Sequence, residues 1–261
     1  MNRHERLSLL ADLVIQRGTI RVDDIIEELG ISGATARRDL DALANQQLLT
    51  RTRGGAIANA ATGELPLRYR ATRQGDQKRR IAEAAVAMVH PGEVIALNGG
   101  TTTTQMALEL GIASSSNPGF TELPVTVVTN AVNIAADLTV RPNVRVVVTG
   151  GVALARSYEL IGPLAQAKLP RISIGTAFLG VHGIVAGEGL FTIHDGEAVI
   201  NAAFAEAARR LVVIADHSKL GAFSFAKIVD NDLVDTLITD SEADPVQVRA
   251  FEDSGVHVVL A

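Results

Sequence analysis

Arg37 and Arg38 sit side by side in the run Ser32-Gly33-Ala34-Thr35-Ala36-Arg37-Arg38-Asp39-Leu40, and Arg51 and Arg53 come just before Gly54-Gly55. An arginine donates two parallel bonds to a guanine edge, or charge-assisted bonds to a phosphate. A glycine turn lets backbone approach a groove closely. Arginines on a helix and on a turn just after it therefore suit a DNA duplex, with the helix for the major groove and the cationic loop for the backbone. A second polar set lies further on: Asn98-Gly99-Gly100-Thr101-Thr102-Thr103-Thr104, Thr129-Asn130, Gly150-Gly151 with Arg156 shortly after, Gly180-Val181-His182-Gly183, Glu197, and Asp216-His217-Ser218-Lys219. Glycines and hydroxyls at a helix start present N–H groups to an anion. Arg156 and Lys219 add cations, while Glu197 and the amides suit hydroxyls. The set fits a small polyol carrying a phosphate. No Gly-Lys-Thr follows Gly100, so this is not a Walker loop. His182 is a lone histidine, and no His-x-x-x-His spacing occurs, so no metal or other cofactor is expected. The absence of cysteine excludes a disulfide scaffold, Cys-ligated metals and a thiol nucleophile.

Helical spacing of Leu7, Leu10, Ala11 and Val14 predicts a first helix over 3–17, ended by Gly18. Residues 19–22 read as a short strand. A second helix starts at Asp23 or Asp24 and stops at Gly30. Ser32 caps a third. On that third helix Ala36, Leu40 and Leu43 point inward and Thr35, Arg37, Arg38 and Asp41 outward. Residues 48–53 and 56–58 flank the Gly54-Gly55 turn as a hairpin, which completes a winged helix-turn-helix. The DNA-contacting candidates are Ser32, Thr35, Arg37, Arg38, Arg51, Arg53 and Gly54.

Beyond residue 80 the pattern alternates. Apolar strands are expected at 94–97, 125–129, 144–149, 177–181, 211–215, 236–239 and 256–260. Helices are expected at 78–89, 104–110, 131–138, 164–169 and 198–210. This order implies an α/β domain with a doubly wound, mostly parallel sheet. Ligands of such sheets bind beyond the carboxyl ends of strands. The effector candidates fall there: Asn98, Gly100, Thr101, Thr102, Thr103, Thr129, Asn130, Gly150, Gly151, Arg156, His182, Glu197 and Lys219.

The chain of 261 residues has a net charge of −5, which conceals a split. Residues 1–80 hold 14 of the 24 Lys and Arg and 10 of the 29 Asp and Glu, or +4; the rest hold 10 and 19, or −9. A small basic module on an acidic body follows. Domains are expected at 1–57 (DNA binding), 58–77 (a basic linker with Arg68, Arg70 and Arg73) and 78–261 (sensing). The aromatic content of 3% makes the core largely Ala, Val, Ile and Leu. No signal peptide or membrane span is apparent, so a soluble cytoplasmic protein is expected.

As an ordered set these motifs resemble the DeoR family of bacterial sugar-metabolism regulators. The resemblance covers essentially the whole chain, through the Ser32–Leu40 run, Arg53-Gly54-Gly55-Ala56, Gly100-Thr101-Thr102, Val128-Thr129-Asn130, Gly150-Gly151, Glu197-Ala198 and Asp216-His217-Ser218-Lys219-Leu220-Gly221. It implies a regulator, usually a repressor, released from double-stranded operator DNA by a phosphorylated sugar. It also implies a sensor domain resembling ribose-5-phosphate isomerase, and homo-oligomers, dimers or tetramers. Three positions depart from the family pattern. Asn98 stands for an aspartate, His182 for the aspartate of Gly-Ala-Asp-Gly, and Asn201 for a basic residue. A rival reading is a sugar-phosphate isomerase with Glu197 and Lys219 as its working pair; another is a sensor for a nucleotide or acyl-CoA.

Overall fold

In a computed structural model, residues 2–46, 48–58, 67, 74–167 and 169–261 are described. They divide into two compact units, Met1–Arg73 and Gln74–Ala261. Residues 59–66 and 68–73, which include the linker arginines Arg68, Arg70 and Arg73, lie outside the described residues.

In the first unit α1 spans Arg3–Arg17, β1 Thr19–Arg21, α2 Val22–Leu29, α3 Gly33–Asn45, β2 Leu49–Thr52 and β3 Gly55–Ala58. Asn2 and Glu5 form a reciprocal capping box on α1. Gly30 ends α2 with a left-handed φ of 62°. Val22, expected in the strand, instead opens α2, and its N–H donates to Gly54 O at 2.8 Å. The three strands pair antiparallel in the order β1-β3-β2. Leu10, Val14, Ile25, Leu40 and Leu43 pack into one core with Ile20, Leu49 and Ala56 from the sheet.

Asp39 of the Arg-Arg-Asp-Leu run takes the opposite direction to its neighbours. It is 3% exposed and accepts from Arg6 of α1, Nε at 2.5 Å and Nη2 at 3.3 Å. The acid of the motif thus clamps α3 to α1, which frees the two arginines before it from any structural task.

In the second unit the elements are α4 (Gly75–Val86), β4 (Val94–Leu97), α5 (Thr101–Ser116), α6 (Pro118–Glu122), β5 (Val125–Thr129), α7 (Val132–Thr139), β6 (Val144–Val148), β7 (Val152–Ala153), β8 (Leu160–Ile161), α8 (Pro163–Gln166), β9 (Ile174–Leu179), β10 (Gly183–Val185), β11 (Gly189–Thr192), α9 (Asp195–Ala207), β12 (Ala208–Ile214), β13 (Ala226–Lys227), β14 (Thr236–Thr239), α10 (Pro245–Asp253) and β15 (His257–Leu260). Helix α4 starts at Gly75, inside the expected linker. Seven strands form one sheet in the order β15-β14-β12-β9-β4-β5-β6, and every neighbouring pair is parallel. The chain fills the sheet from β4 outward to β6, then returns to β9 and fills the other side. The order therefore reverses between β4 and β9.

Side chains alternate across this sheet as a pleat requires. Ile95, Leu97, Phe178, Val212 and Ile214 face α4, α5 and α7, against Ile81, Met106, Leu110 and Ile134. Ala96, Ala177, Leu179, Leu211 and Val213 face the other way, against Ala198, Phe204 and Phe251 of α9 and α10. The sheet is covered on both faces. Residues 208–210, expected in a helix, are the first of β12. There Arg210 pairs with Thr176 in the ladder and donates to its hydroxyl at 2.9 Å.

Candidate functional site

In the first unit, Ser32 caps α3: its Oγ accepts from Thr35 N at 3.2 Å and lies 2.9 Å from Thr35 Oγ1. This fixes the amino end of α3, and the next turn carries Arg37 and Arg38, both exposed. The Arg37 guanidinium folds back toward that end, 3.3 Å from the point where a Cβ on Gly33 would stand. Arg53 and Gly54 are exposed on the turn between β2 and β3. Arg37, Arg38 and Arg53 make no hydrogen bond or ion pair among the described residues. Arg51 is different: its Nε donates to Asp41 at 2.9 Å and its Nη1 to Gly55 O at 2.6 Å. It ties the wing to α3, so its charge is partly spent within the fold.

The second site lies at the carboxyl edge of the large sheet, where strand order reverses, the place at which ligands of such sheets bind. Asn98 follows β4 and Gly180 follows β9. Asn98 Nδ2 donates to Gly180 O and its Oδ1 accepts from Gly180 N, each at 2.9 Å. One buried amide thus stitches the two loops across the switch point. An aspartate here would have no donor for Gly180 O. The departure at position 98 has a structural account: an amide does what a carboxylate could not.

Next comes the amino end of α5. Thr103 and Thr104 hydroxyls turn back to Gly100 O, and Asn133 Nδ2 donates to Thr104 Oγ1. No side chain caps the helix. The N–H groups of Thr101, Thr102 and Thr103 have no acceptor among the described residues. That is the donor set an anion requires.

On the far side of β4, Thr129 Oγ1 accepts from Ala131 N at 3.0 Å, and Asn130 O accepts from Leu160 N at 2.6 Å. Asn130 Nδ2 donates to Glu159 Oε2 at 2.9 Å. Gly151, with φ 117°, passes so close to β8 that a Cβ would stand 2.6 Å from Ile161 O. Gly150 also has positive φ, 83°. Both glycines thus serve the turn that brings β8 and Glu159 back over the sheet edge. Arg156 lies in that same excursion, half-buried.

Beyond β9 three polar groups form a hydrogen-bonded chain. His182 Nδ1 lies 3.0 Å from Thr192 Oγ1, and Thr192 Oγ1 donates to Glu197 Oε2 at 2.9 Å. A hydroxyl has one proton; since Thr192 gives it to Glu197, it must accept from His182, which therefore carries its proton on Nδ1. Glu197 is 1% exposed, and its second oxygen, like Oδ1 of Asn130 and of Asn201, is buried without a partner among the described residues. Buried acceptors without donors are costly unless something else fills them.

Lys219 follows β12, the neighbour of β9. Its loop is pinned by Gly221 N donating to Ile184 O at 2.8 Å, and the ammonium makes no ion pair among the described residues. It shares the carboxyl edge with His182 and Glu197 but is hydrogen-bonded to neither. Close by, His217 and Asp240 form a clamp between the ends of β12 and β14. His217 N and Nδ1 both meet Asp240, at 2.8 Å each, and Glu242 N adds 3.1 Å. His217, Asp240 and Glu242 also bring potential metal-ligand atoms within 4.8 Å of one another. Asp240 already accepts three N–H donors, so its lone pairs serve the clamp.

Burial works against the Asp240 charge, but those hydrogen bonds outweigh it and hold its carboxyl below the usual carboxylate range. A depressed folded pKa gives stability that is present above the unfolded value, about 4, and is lost as pH falls through the folded one. Asp240→Asn is expected to cost roughly 2 kcal/mol at pH 7 and to flatten the acid side of the stability curve. Urea melts at stepped pH check both.

Glu159 and Thr192 escaped the sequence reading. Glu159 lacks any motif; a lone acid after Ser157-Tyr158 carries no spacing signal. Its partner Asn130 is 29 residues away.

With this geometry in hand, the comparisons are specific. The family model of the DeoR C terminal sensor domain matches residues 73–241, and that of the DeoR-like helix-turn-helix domain matches residues 6–62. An uncharacterized HTH-type transcriptional regulator of Bacillus subtilis, YulB, is 31% identical over 97% of this chain and 95% of its own length. The glycerol-3-phosphate regulon repressor of Escherichia coli is 28% identical over 100% of both. Among solved structures, ribose 5 phosphate isomerase A from Neisseria gonorrhoeae is similar with a TM-score of 0.41 and 21% identity, over 59% of this chain and 56% of that one.

Proposed function

Because this chain belongs to the DeoR family of transcriptional regulators, we propose that it represses sugar-metabolism genes and leaves its operator when a phosphorylated sugar binds. The observation that carries this is the pairing of chemistries along the carboxyl edge of one sheet: unanswered N–H donors at the start of α5, and buried, unanswered acceptors on Asn130 and Glu197. The donors suit a phosphate and the acceptors suit hydroxyls. Lys219 and the loop at Gly150-Gly151 complete the ring of strand ends. The proposed DNA contacts are the α3 start at Ser32 and Thr35, the free arginines Arg37, Arg38 and Arg53, and the wing turn at Gly54, with Arg51 holding the wing.

The protein is a regulator without catalytic activity in this reading. An isomerase base must shuttle a proton, whereas the amide of Asn98, which stands where the family pattern has an acid, cannot take one up. It works as a homo-oligomer, since two heads are needed to read two half-sites. Exposed apolar side chains such as Phe223, Phe225, Val152 and Leu164 supply surface for such contacts. Among the described residues no helix is long and apolar enough to cross a membrane.

A ligand that binds only the folded state stabilises it by about 2.7 kcal/mol at one hundred times its Kd. For a sensor of this size that is roughly 5–10 °C in Tm. A thermal-shift screen over sugar phosphates of three to six carbons is expected to find at least one such ligand, with the matching unphosphorylated sugar inactive. No shift from any phosphate in the panel would defeat the reading.

A further inference from the structure

Glu197 and Asn201 are four residues apart on α9 and so share one face of the helix. They are 1% and 2% exposed. Glu197 Oε2 accepts from Thr192, but its Oε1 and the Asn201 Oδ1 are buried with no hydrogen-bond partner among the described residues. Glu197 makes no ion pair among them either. The DeoR pattern places a basic residue at position 201, one turn beyond the glutamate; here an amide stands instead, and the carboxylate is left without an internal cation. Ala198, Ile200 and Phe204 of the same helix belong to the apolar core and offer no donor. The start of α9 also presses on β8, since a Cβ on Gly196 would stand 2.6 Å from Ile161 Cδ1. β8 is tied in turn to Asn130, whose O accepts from Leu160 N and whose Oδ1 is a further buried acceptor without a donor.

We propose that Glu197 and Asn201 form a subsite for an ammonium group, and that the effector is a phosphorylated amino sugar. The proposal rests on the sugar-phosphate reading above and adds the substituent which that reading leaves open. An ammonium brings three N–H donors, a full positive charge and no acceptor of its own. A sugar hydroxyl brings one donor, and it leaves the carboxylate charge unbalanced. Buried charge is costly unless it is paired, and buried amide oxygens are costly unless they are hydrogen-bonded. An ammonium answers both demands with one group. The N–H groups at the start of α5 are left for the phosphate. Asn201 is then the position that sets specificity: by omitting the internal cation, it hands that role to the ligand.

The test titrates the full chain calorimetrically at neutral pH with matched pairs: glucosamine 6-phosphate against glucose 6-phosphate, and galactosamine 6-phosphate against galactose 6-phosphate. Members of a pair differ only in an ammonium or a hydroxyl at one carbon. In at least one pair the amino sugar is expected to bind roughly tenfold more tightly or better, the scale of a hydrogen bond to a charged group. Acetylating that nitrogen removes its charge and is expected to remove the advantage. Two variants then act on the subsite. Glu197→Gln removes the negative charge, and Asn201→Lys supplies an internal ammonium one turn away. Each is expected to cut the preference to about threefold or less. The preference compares two ligands on one protein, so a general weakening of the fold cancels. If either variant fails to fold, the unaltered protein and the other variant still decide.

Equal affinity for the amino and hydroxyl members of both pairs overturns the proposal. So does a preference that survives both variants, which would mark Glu197 and Asn201 as structural only. Glucose 6-phosphate binding that requires sodium or potassium, and is lost in tetramethylammonium buffer, would give the subsite to an inorganic cation and overturn it too. If no sugar phosphate binds, the underlying reading fails and this proposal fails with it; binding without preference for the amino sugar removes this proposal alone.

Discussion

Replacing Arg37 and Arg38 together by alanine is expected to cost about 2–5 kcal/mol of operator binding, a loss of roughly 30-fold to several thousand-fold. Both side chains are exposed on α3 and neither has an internal partner. The fold should not suffer, because the acid of the same run, Asp39, keeps its clamp on Arg6. Fluorescence anisotropy on duplexes selected from a random pool measures the loss. If one arginine reads a base and the other a phosphate, the single variants separate. The first relaxes sequence preference, and the second lowers the salt slope by about one. Full retention of affinity in the double variant would remove α3 as the reading helix.

Gly55→Ala is expected to unfold the first unit while sparing the second. A Cβ at Gly55 would stand 1.9 Å from Ile20 O and 2.9 Å from the Arg21 Cα. These are backbone atoms of the paired strand β1, in register with Gly55 itself, so no side-chain rotation relieves the clash. The β1–β3 ladder must part, and with it the bond from Val22 N to Gly54 O. A unit this small has only a few kcal/mol to lose. A penalty of about 3 kcal/mol would lower its melting temperature by more than 10 °C. Calorimetry is expected to show one early transition and one unchanged, with sugar-phosphate stabilisation intact and operator binding gone. A single unshifted transition would contradict the register at the wing.

Much of this was legible because the sequence wrote it locally. The seven strands of the large sheet are buried on both faces, so each reads as a continuous apolar run. The head reads well for a similar reason: Gly18, Gly30 and Ser32 punctuate it, and Ala36, Leu40 and Leu43 mark one face of α3. The failures were places where a distant partner decides. Residues 208–210 have the composition of a helix end, but pairing with residues 174–176 draws them into β12. The short strands β7 and β8, and the β10-β11-β13 sheet, are two to four residues each and leave no periodicity to detect. The role of Asn98 depends on Gly180, 82 residues on.

The measurement that bears most directly on the whole reading is titration of the preformed operator complex with the sugar phosphate that stabilises the protein. A regulator gated this way must bind ligand and operator with reciprocal coupling, typically 1–3 kcal/mol. The expected result is release of the DNA, saturating as the ligand site fills, with the unphosphorylated sugar without effect. A complex whose affinity is unchanged while ligand demonstrably occupies the site would contradict it.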